Sequence, residues 1–377
     1  MTPADLSLTV LHAVRRAVDE GALRVDVPPR VKVERPRPGG VGDYASSIAL
    51  SLARPSGRKP LDVAGILKER LHGSPGIRAV DITGPGFLNF TLDVGQGARL
   101  VREVAEAGHR YGYSDALAGT VVRLADTGED RARLVGETVV RLLRSQGADA
   151  EVGGAGAGAS ERIHVLPAPF ARDLLGPDAA RWALLRPAPH DHALPGGPLL
   201  VQHERNALFR VRYAHSRARA LIRNGAQLGI RAGYEADLHD VDLREADLRA
   251  ADLRAADLRA ADLHAVNLRE ADLRAADLHQ ADPHAAQVHG PASALLDLLA
   301  DHPAVLLAAA RLRAPDRVAR HLEGVADGLL GFQHAVLPLG DEKPSAAHRS
   351  RLALAEAAGT VLAGGLSLLG ISAPDQI

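Results

Sequence analysis

Residues 236–285 read ADLHD VDLRE ADLRA ADLRA ADLRA ADLHA VNLRE ADLRA ADLHQ ADPHA, which is ten five-residue units in succession. The third position is Leu in every unit but the last, and the first is Ala except at Val241 and Val266. In an α-helix a five-residue step turns about 500°, so the leucines would advance by about 140° each and form no stripe. A strict short period instead means that one small unit stacks on copies of itself, and the period sets the architecture of this segment.

The unit, a small residue followed by Asp or Asn, Leu and two variable residues, resembles the pentapeptide-repeat family. The resemblance implies a short right-handed quadrilateral β-helix over 236–285, with a cap where Pro283 replaces Leu. A continuous helix or a poorly ordered tract is the alternative, because Ala, Leu and Arg are strong helix formers. A solenoid this short buries little surface, so we expect it to lean on a neighbour, such as a protein partner, or on a second copy of itself.

Composition limits the classes of function. A length of 377 residues predicts two or three domains. The absence of cysteine excludes disulfides, thiolate zinc sites and cysteine nucleophiles. No basic and apolar signal marks the N-terminus and no apolar stretch reaches about 18 residues, so we expect a cytoplasmic protein that does not span a membrane. The formal net charge of -1 gives no overall attraction to nucleic acid, so any such site must be local.

Residues 1–110 read as a small α+β domain. Apolar spacing and turn residues predict three helices and three strands, at 6–18, 44–53 and 61–71 and at 30–34, 77–83 and 87–92. Gly42-Asp43-Tyr44-Ala45, followed by Gly84-Pro85-Gly86-Phe87-Leu88-Asn89-Phe90, resembles the N-terminal additional domain of arginyl-tRNA synthetases. In that family the domain touches the outer corner of tRNA. The resemblance therefore implies Tyr44, Phe87 and Asn89 as tRNA-binding candidates.

A second resemblance to the same family lies in residues 118–166. A strand at 120–125, a helix at 129–146, and strands at 150–152 and 162–166 predict a truncated Rossmann-like remnant with a Gly/Ala linker at 153–160. Alignment on the helix places the family's His-Ile/Val-Gly-His motif at Asp126-Thr127-Gly128-Glu129, where both histidines are acidic. Two carboxylates would repel the ATP phosphates that the family binds there.

The other signature of the family's chemistry is missing as well. Pro167-Ala168-Pro169 occupies the neighbourhood of its Lys-Met-Ser-Lys-Ser loop, and no Lys occurs between Lys68 and Lys343. We therefore predict no catalytic residue and no cofactor, although the family uses ATP. Magnesium held by Asp126, Glu129 and Asp130 is an alternative, but acids are favoured at a helix N-terminus by its dipole. We predict a solvated helix end there and no metal site.

The remaining helical parts, 172–228 and 291–377, are expected to form one all-α bundle interrupted by the repeat. Apolar spacing predicts helices at 292–299, 304–312, 315–336 and 346–369. Val211-Arg212-Tyr213-Ala214-His215-Ser216-Arg217-Ala218, and Leu369-Gly370-Ile371 with Pro374, closely resemble the DALR anticodon-binding domain of the same synthetases.

One helix of this bundle carries an aromatic ring, an imidazole and several guanidinium groups. These groups suit stacking on unpaired bases and contact with phosphate. The tRNA-binding candidates are Asn206, Arg212, Tyr213, His215 and Arg217. The alternative is that some of the arginines are merely solvated, because they wrap widely around the helix.

Three functions stay open for this multidomain α+β chain. The first is a tRNA-binding paralogue of arginyl-tRNA synthetase that has lost its chemistry and contacts the anticodon stem-loop and the outer corner. The second is a divergent but active arginine-tRNA ligase. The third is an interaction protein in which the repeat dominates; its ten Asp and two Glu against six Arg would allow a limited imitation of DNA.

Overall fold

The described parts of the chain form two compact units, one that ends at Leu100 and one that begins at Val101. The computed structural model describes residues 3–34, 42, 44–92, 96–153, 161–233 and 291–377. The repeat at 236–285 and the linker residues 154–160 lie outside these ranges, so the β-helix stays a prediction. The boundary between the units falls inside the predicted domain 1–110, within helix α4 (Gln96–Ala107).

The first unit places three helices against a three-stranded antiparallel sheet of order β1-β3-β2. Its elements are α1 (Pro3–Asp19), β1 (Tyr44–Ser46), α2 (Ile48–Ser56), α3 (Pro60–Leu71), β2 (Ile77–Thr83) and β3 (Phe87–Leu92). The core lies between the helices and the sheet, where Leu67, Leu88 and Phe90 are fully buried. The predicted helices at 6–18 and 61–71 and both strands of the hairpin are confirmed.

Two predictions for this unit were wrong. The predicted strand at 30–34 contributes one isolated bridge, between Glu34 and Ala45. The predicted helix at 44–53 begins only at Ile48, because Tyr44–Ser46 pairs with β3 and buries alternate side chains. Ser46 ends the strand: its hydroxyl donates to the Lys32 carbonyl at 2.7 Å and accepts from the Ile48 N–H at 3.3 Å.

The second unit opens with a βαβ unit. Strands β4 (Val121–Leu124) and β5 (Asp149–Val152) pair in parallel, and α5 (Asp130–Ser145) connects them and packs on β5. The predicted strand at 162–166 is absent, and only Glu161 bridges to the other edge of β4. A single βαβ unit is common to many parallel sheets, so the Rossmann-like origin of this part stays a prediction.

The rest of the second unit is helical. Its helices are α6 (Arg172–Leu185), α7 (Gly196–Leu199), α8 (Ala207–Gln227), α9 (Pro291–Leu312), α10 (Asp316–Phe332) and α11 (Ala346–Leu369). Helix α8 packs on α10 and α11, and α9 packs on α10. Glycines allow close approaches to α11: a β carbon on Gly364 would lie 2.8 Å from the His109 carbonyl oxygen, and one on Gly359 would lie 2.8 Å from the β carbon of Ala218.

The helices predicted at 292–299 and 304–312 are one helix, α9, which continues through Pro303. Proline has no N–H and leaves the carbonyl four residues earlier without its helical partner. That carbonyl belongs to Leu299, and it accepts a hydrogen bond from the Tyr111 hydroxyl at 3.1 Å. The long-range bond replaces the missing one and explains why the helix does not end at the proline.

Two helices, over 292–312 and 346–369, are long and apolar enough in composition to cross a membrane. Most of the apolar window of the second is buried inside the bundle, as in the core helix of a water-soluble domain. By themselves such helices are weak evidence for a membrane span.

Candidate nucleotide and nucleic-acid sites

The acidic motif at the start of α5 forms a turn followed by a helix cap. Asp126 accepts a hydrogen bond from the Gly128 N–H at 2.9 Å, and this bond lowers the pKa of its carboxyl group. Glu129 is the N-cap residue, and its carboxylate accepts from the N–H groups of Arg131 at 3.1 Å and Ala132 at 2.6 Å. The two acids thus satisfy backbone donors that a helix start leaves unpaired.

The same carboxylates attach a second segment to the helix start. Glu129 also accepts from the Ala168 N–H at 2.8 Å, and Asp130 accepts from the Phe170 N–H at 3.1 Å. A helix N-terminus is a natural binding place for phosphate because of its free N–H groups and its dipole. Here a carboxylate of the chain itself fills that place, and residues 167–170 lie beside it.

Arg131 holds the base of this arrangement, although its sequence context gave no sign of it. The side chain is fully buried. Its guanidinium donates to four carbonyl oxygens, those of Leu166 at 3.0 Å, Leu184 at 3.1 Å, Ala188 at 3.0 Å and Asp191 at 2.7 Å. Burial lowers the pKa of the group. The bonds join the start of α5 to the end of α6 and to the loop after it.

An open hollow of about 610 Å³ lies at this helix start. Its walls include Thr127, Glu129, His164, Pro167 and His190, and none of its described lining residues is Lys or Arg. A polyphosphate in this hollow would therefore meet the Glu129 carboxylate and no Lys or Arg among the described lining residues. In the described parts of the chain, no group of three or more His, Cys, Asp or Glu residues is placed to hold a metal ion.

Asn206 has a structural role at the start of α8. Its side-chain oxygen accepts from the Phe209 N–H at 3.3 Å and caps the helix. Its amide nitrogen donates to the carbonyls of Leu199 and Val201, both at 2.9 Å. The side chain is buried and forms a cap that also fastens the preceding loop, so its contact with tRNA stays a prediction that this placement does not support.

One face of α8 carries Arg212, His215, Ser216 and Arg219, at the helical spacing i, i+3, i+4 and i+7. We call these four residues the α8 stripe. Each contacts the segment 372–375, which we call the strap: Arg212 with Ser372 at 3.2 Å, His215 Nδ1 with the Pro374 carbonyl at 2.9 Å, Ser216 with the Asp375 carbonyl at 3.3 Å, and Arg219 with the Asp375 carboxylate at 3.0 Å. Two predicted tRNA contacts, Arg212 and His215, therefore already bind the chain itself.

A carboxylate next to the stripe also binds both the stripe and the strap. Arg212 also pairs with Asp178 at 3.6 Å, and Asp178 in turn accepts from the Ser372 N–H at 3.1 Å. Burial lowers the pKa of the His215 imidazole. Positive charge on this face is therefore largely balanced by carboxylates of the chain.

The other aromatic and arginine side chains on or next to α8 differ in how exposed they are and in whether they already form a hydrogen bond. Tyr213 is 39% exposed, and its ring stacks on Phe209 with centroids 5.7 Å apart. Arg217 donates to the Gln333 side chain at 2.6 Å. Arg205 and Arg223 are exposed. A partly exposed aromatic ring such as that of Tyr213 is a surface on which an unpaired base could stack.

In the first unit, two of the three candidate tRNA-binding residues are buried and one is exposed. Tyr44 is buried in the core and lies opposite Phe90 in the sheet. Asn89 is buried, and its amide donates to the Thr83 hydroxyl at 2.7 Å. Both residues lie in the core and expose almost no surface, so nothing in their placement supports the predicted tRNA contact, which stays a prediction. Phe87, at 38% exposed, keeps the prediction.

Comparison with known proteins identifies the family. The family described as "Arginyl tRNA synthetase N terminal domain" matches residues 8–92, and the family described as "DALR anticodon binding domain" matches residues 267–377. Pentapeptide repeats match residues 236–274 and 251–282. The chain is an arginyl-tRNA synthetase-related protein with a pentapeptide-repeat segment. The predicted family and its repeat are thereby confirmed.

The relatives of this synthetase-related protein are considerably longer than the part that it matches. The arginine-tRNA ligase of Micrococcus luteus is 45% identical over 164 residues, which cover 40% of this chain and 30% of that protein. The one of Paenarthrobacter aurescens is 33% identical over 255 residues, which cover 64% and 44%. The solved arginyl-tRNA synthetase of Thermus thermophilus aligns over all of both chains at 15% identity with a TM-score of 0.49, too loose a likeness to establish a shared fold. The chain spans less than half the length of these curated relatives.

Proposed function

We propose that this synthetase-related protein binds tRNA in the cytoplasm and does not charge it. The proposal that the protein does not charge tRNA rests on the start of α5, where the Glu129 carboxylate already binds the free backbone N–H groups. Glu129 accepts three backbone N–H groups there, and one of them comes from the segment 167–170. ATP would have to displace this carboxylate, and it would gain no cation from the hollow beside it.

The tRNA-binding half rests on the two domains that match at either end of the chain. In the second unit the exposed part of a stacking surface is Tyr213 with Phe209, and in the first unit it is Phe87. Exposed arginines, Arg205 and Arg223, lie on or next to the same helix as Tyr213. The proposed contacts are the anticodon stem-loop for α8 and the outer corner of tRNA for the first unit.

Two assays on the full chain test the proposal. In the first, ATP-dependent attachment of labelled arginine to tRNA is measured, with the Micrococcus luteus ligase as positive control; we expect no charging above background. In the second, filter binding with unfractionated tRNA is measured from 50 to 200 mM salt, and we expect binding that weakens steeply as phosphate contacts release counterions. Charging at a rate near that of the control would overturn the proposal, and so would the absence of binding at low salt.

An active arginine-tRNA ligase is the second candidate, because the relatives from Micrococcus luteus and Paenarthrobacter aurescens carry that name. The charging assay separates it from the first. An interaction function of the repeat stays a prediction, since residues 236–285 lie outside the described parts of the chain.

A further inference from the structure

The strap binds α8 through polar contacts, and none of its four residues is fully buried. Ile371 is the last buried residue of the chain, and every residue after it is half-buried or exposed. Gly370 ends α11 with a left-handed backbone at φ 72°, and the Ile371 N–H donates back to the Leu366 carbonyl at 2.9 Å. This Schellman-type ending fixes the chain up to Ile371. The strap can therefore leave α8 without exposing a buried apolar side chain.

Two open clefts include residues of the strap in their walls. One of about 450 Å³ has Arg212, Phe209 and Pro374 in its walls. The other, of about 690 Å³, is lined by residues that include His215, Arg219 and Asp375. Strap residues therefore line both clefts, together with members of the α8 stripe.

The strap presents oxygen atoms to the cations of the stripe. The Asp375 carboxylate lies 3.0 Å from Arg219 Nε, and the Ser372 hydroxyl accepts from Arg212 at 3.2 Å. RNA phosphates are oxyanions that bind the same guanidinium groups. The two kinds of oxyanion therefore compete for one set of donors.

We infer that residues 372–375 act as an internal competitor of RNA, and that an RNA phosphate takes the place of the Asp375 carboxylate on Arg219 when the strap is displaced. The inference rests on the proposed function, because it assumes that tRNA approaches α8. It explains why the arginines of a helix suited to RNA contact are paired within the chain. It also makes the affinity for tRNA depend on a segment that contributes little to the core.

Affinity measurements with strap variants test the inference. The variants are Asp375→Asn, which keeps the shape and removes the charge, and a truncation after Ile371. The matched control is Asp341→Asn, a change of the same charge at an exposed residue with no bond to α8. With unfractionated tRNA as probe, we expect about twofold to threefold tighter binding for Asp375→Asn and about fivefold or more for the truncation, as exposed ion pairs are weak. The salt dependence of the truncated chain should steepen by about one counterion or more.

The outcomes are distinct. If the full chain binds tRNA and both folded variants bind it equally or more weakly, the competitor role is overturned and the proposed function stands. If circular dichroism finds the truncated chain unfolded, Asp375→Asn alone decides by the same criterion. If neither the full chain nor any variant binds tRNA, the proposed function and the inference both fail.

Discussion

The start of α5 and the α8 stripe both place a carboxylate of the chain where an external oxyanion could bind, but they hold it differently. Glu129 belongs to the helix that it caps and accepts three backbone N–H groups. Asp375 lies on a strap and meets mainly the exposed side chain of Arg219. Backbone donors cannot move away, whereas long side chains and a short strap can. We therefore expect an external oxyanion to displace the Asp375 carboxylate more easily than the Glu129 carboxylate.

We expect the largest effect from removing the Arg131 side chain, whose hydrogen bonds hold the start of α5 in place. Arg131→Ala would leave four carbonyls without their donor, two of them in buried hydrogen bonds, so we expect a loss of about 4 kcal/mol in the free energy of unfolding. Urea denaturation followed by circular dichroism measures it. Arg133→Ala is the control: its guanidinium is half-exposed and should cost no more than about 0.5 kcal/mol. Equal losses in both variants would mean that the four bonds add no net stability.

Mild acid acts on three buried histidines of the helical part, of which His215 alone belongs to the α8 stripe. Burial lowers the pKa values of His215 beside the strap, of His302 in α9 to well below its ordinary value, and of His321 in α10 to about 4. Unfolded histidines bind protons below about pH 6.5, so the unfolded chain gains protons first and stability falls as the pH falls. Asp126 at the α5 start has a lowered pKa and stays ionised in that window.

The expected loss between pH 7 and pH 5 is about 2 kcal/mol from His321 alone, and His302 acts in the same direction. Thermal melts at half-unit pH steps measure it. His321→Gln should flatten the profile, while His190→Gln, at an exposed position, should not. Stability that rises on acidification to pH 5 would contradict the burial argument.

The contribution of the Glu129 side chain, which caps α5, to stability can be tested directly. Glu129→Ala removes the acceptor of two helix N–H groups and of Ala168, so we expect a loss of about 1 to 2 kcal/mol. Glu129→Gln keeps one acceptor oxygen and should lose less. Denaturation curves of the two variants, taken together with ATP binding by calorimetry, check the result. A variant that binds ATP would show that the carboxylate alone had closed the site.

How far the sequence could predict these regions depends on the distance between partners. The hairpin at 77–92 and the acids at 126–129 follow from local turn chemistry and from alignment on one helix. A motif match does not separate residues that contact RNA from residues of the core. It points to Tyr44, Asn89 and Asn206 alike as tRNA contacts, whereas the structure buries the first two in the core of the first unit and uses the third to cap α8. Hydrogen bonds between residues far apart in sequence, such as that from the Tyr111 hydroxyl to the Leu299 carbonyl, leave no local pattern at either residue.

The smallest effect gives the sharpest test of the contrast between the two carboxylates. The Arg219 and Asp375 side chains are 47% and 63% exposed, and an exposed pair contributes little because water and salt screen it. We therefore expect Asp375→Asn to change the free energy of unfolding by less than about 0.5 kcal/mol, several times less than Glu129→Ala. Parallel denaturation curves in one buffer measure both. A loss at Asp375 equal to that at Glu129 would mean that the strap is bonded as firmly as the helix cap, and an external oxyanion would then displace neither carboxylate more easily than the other.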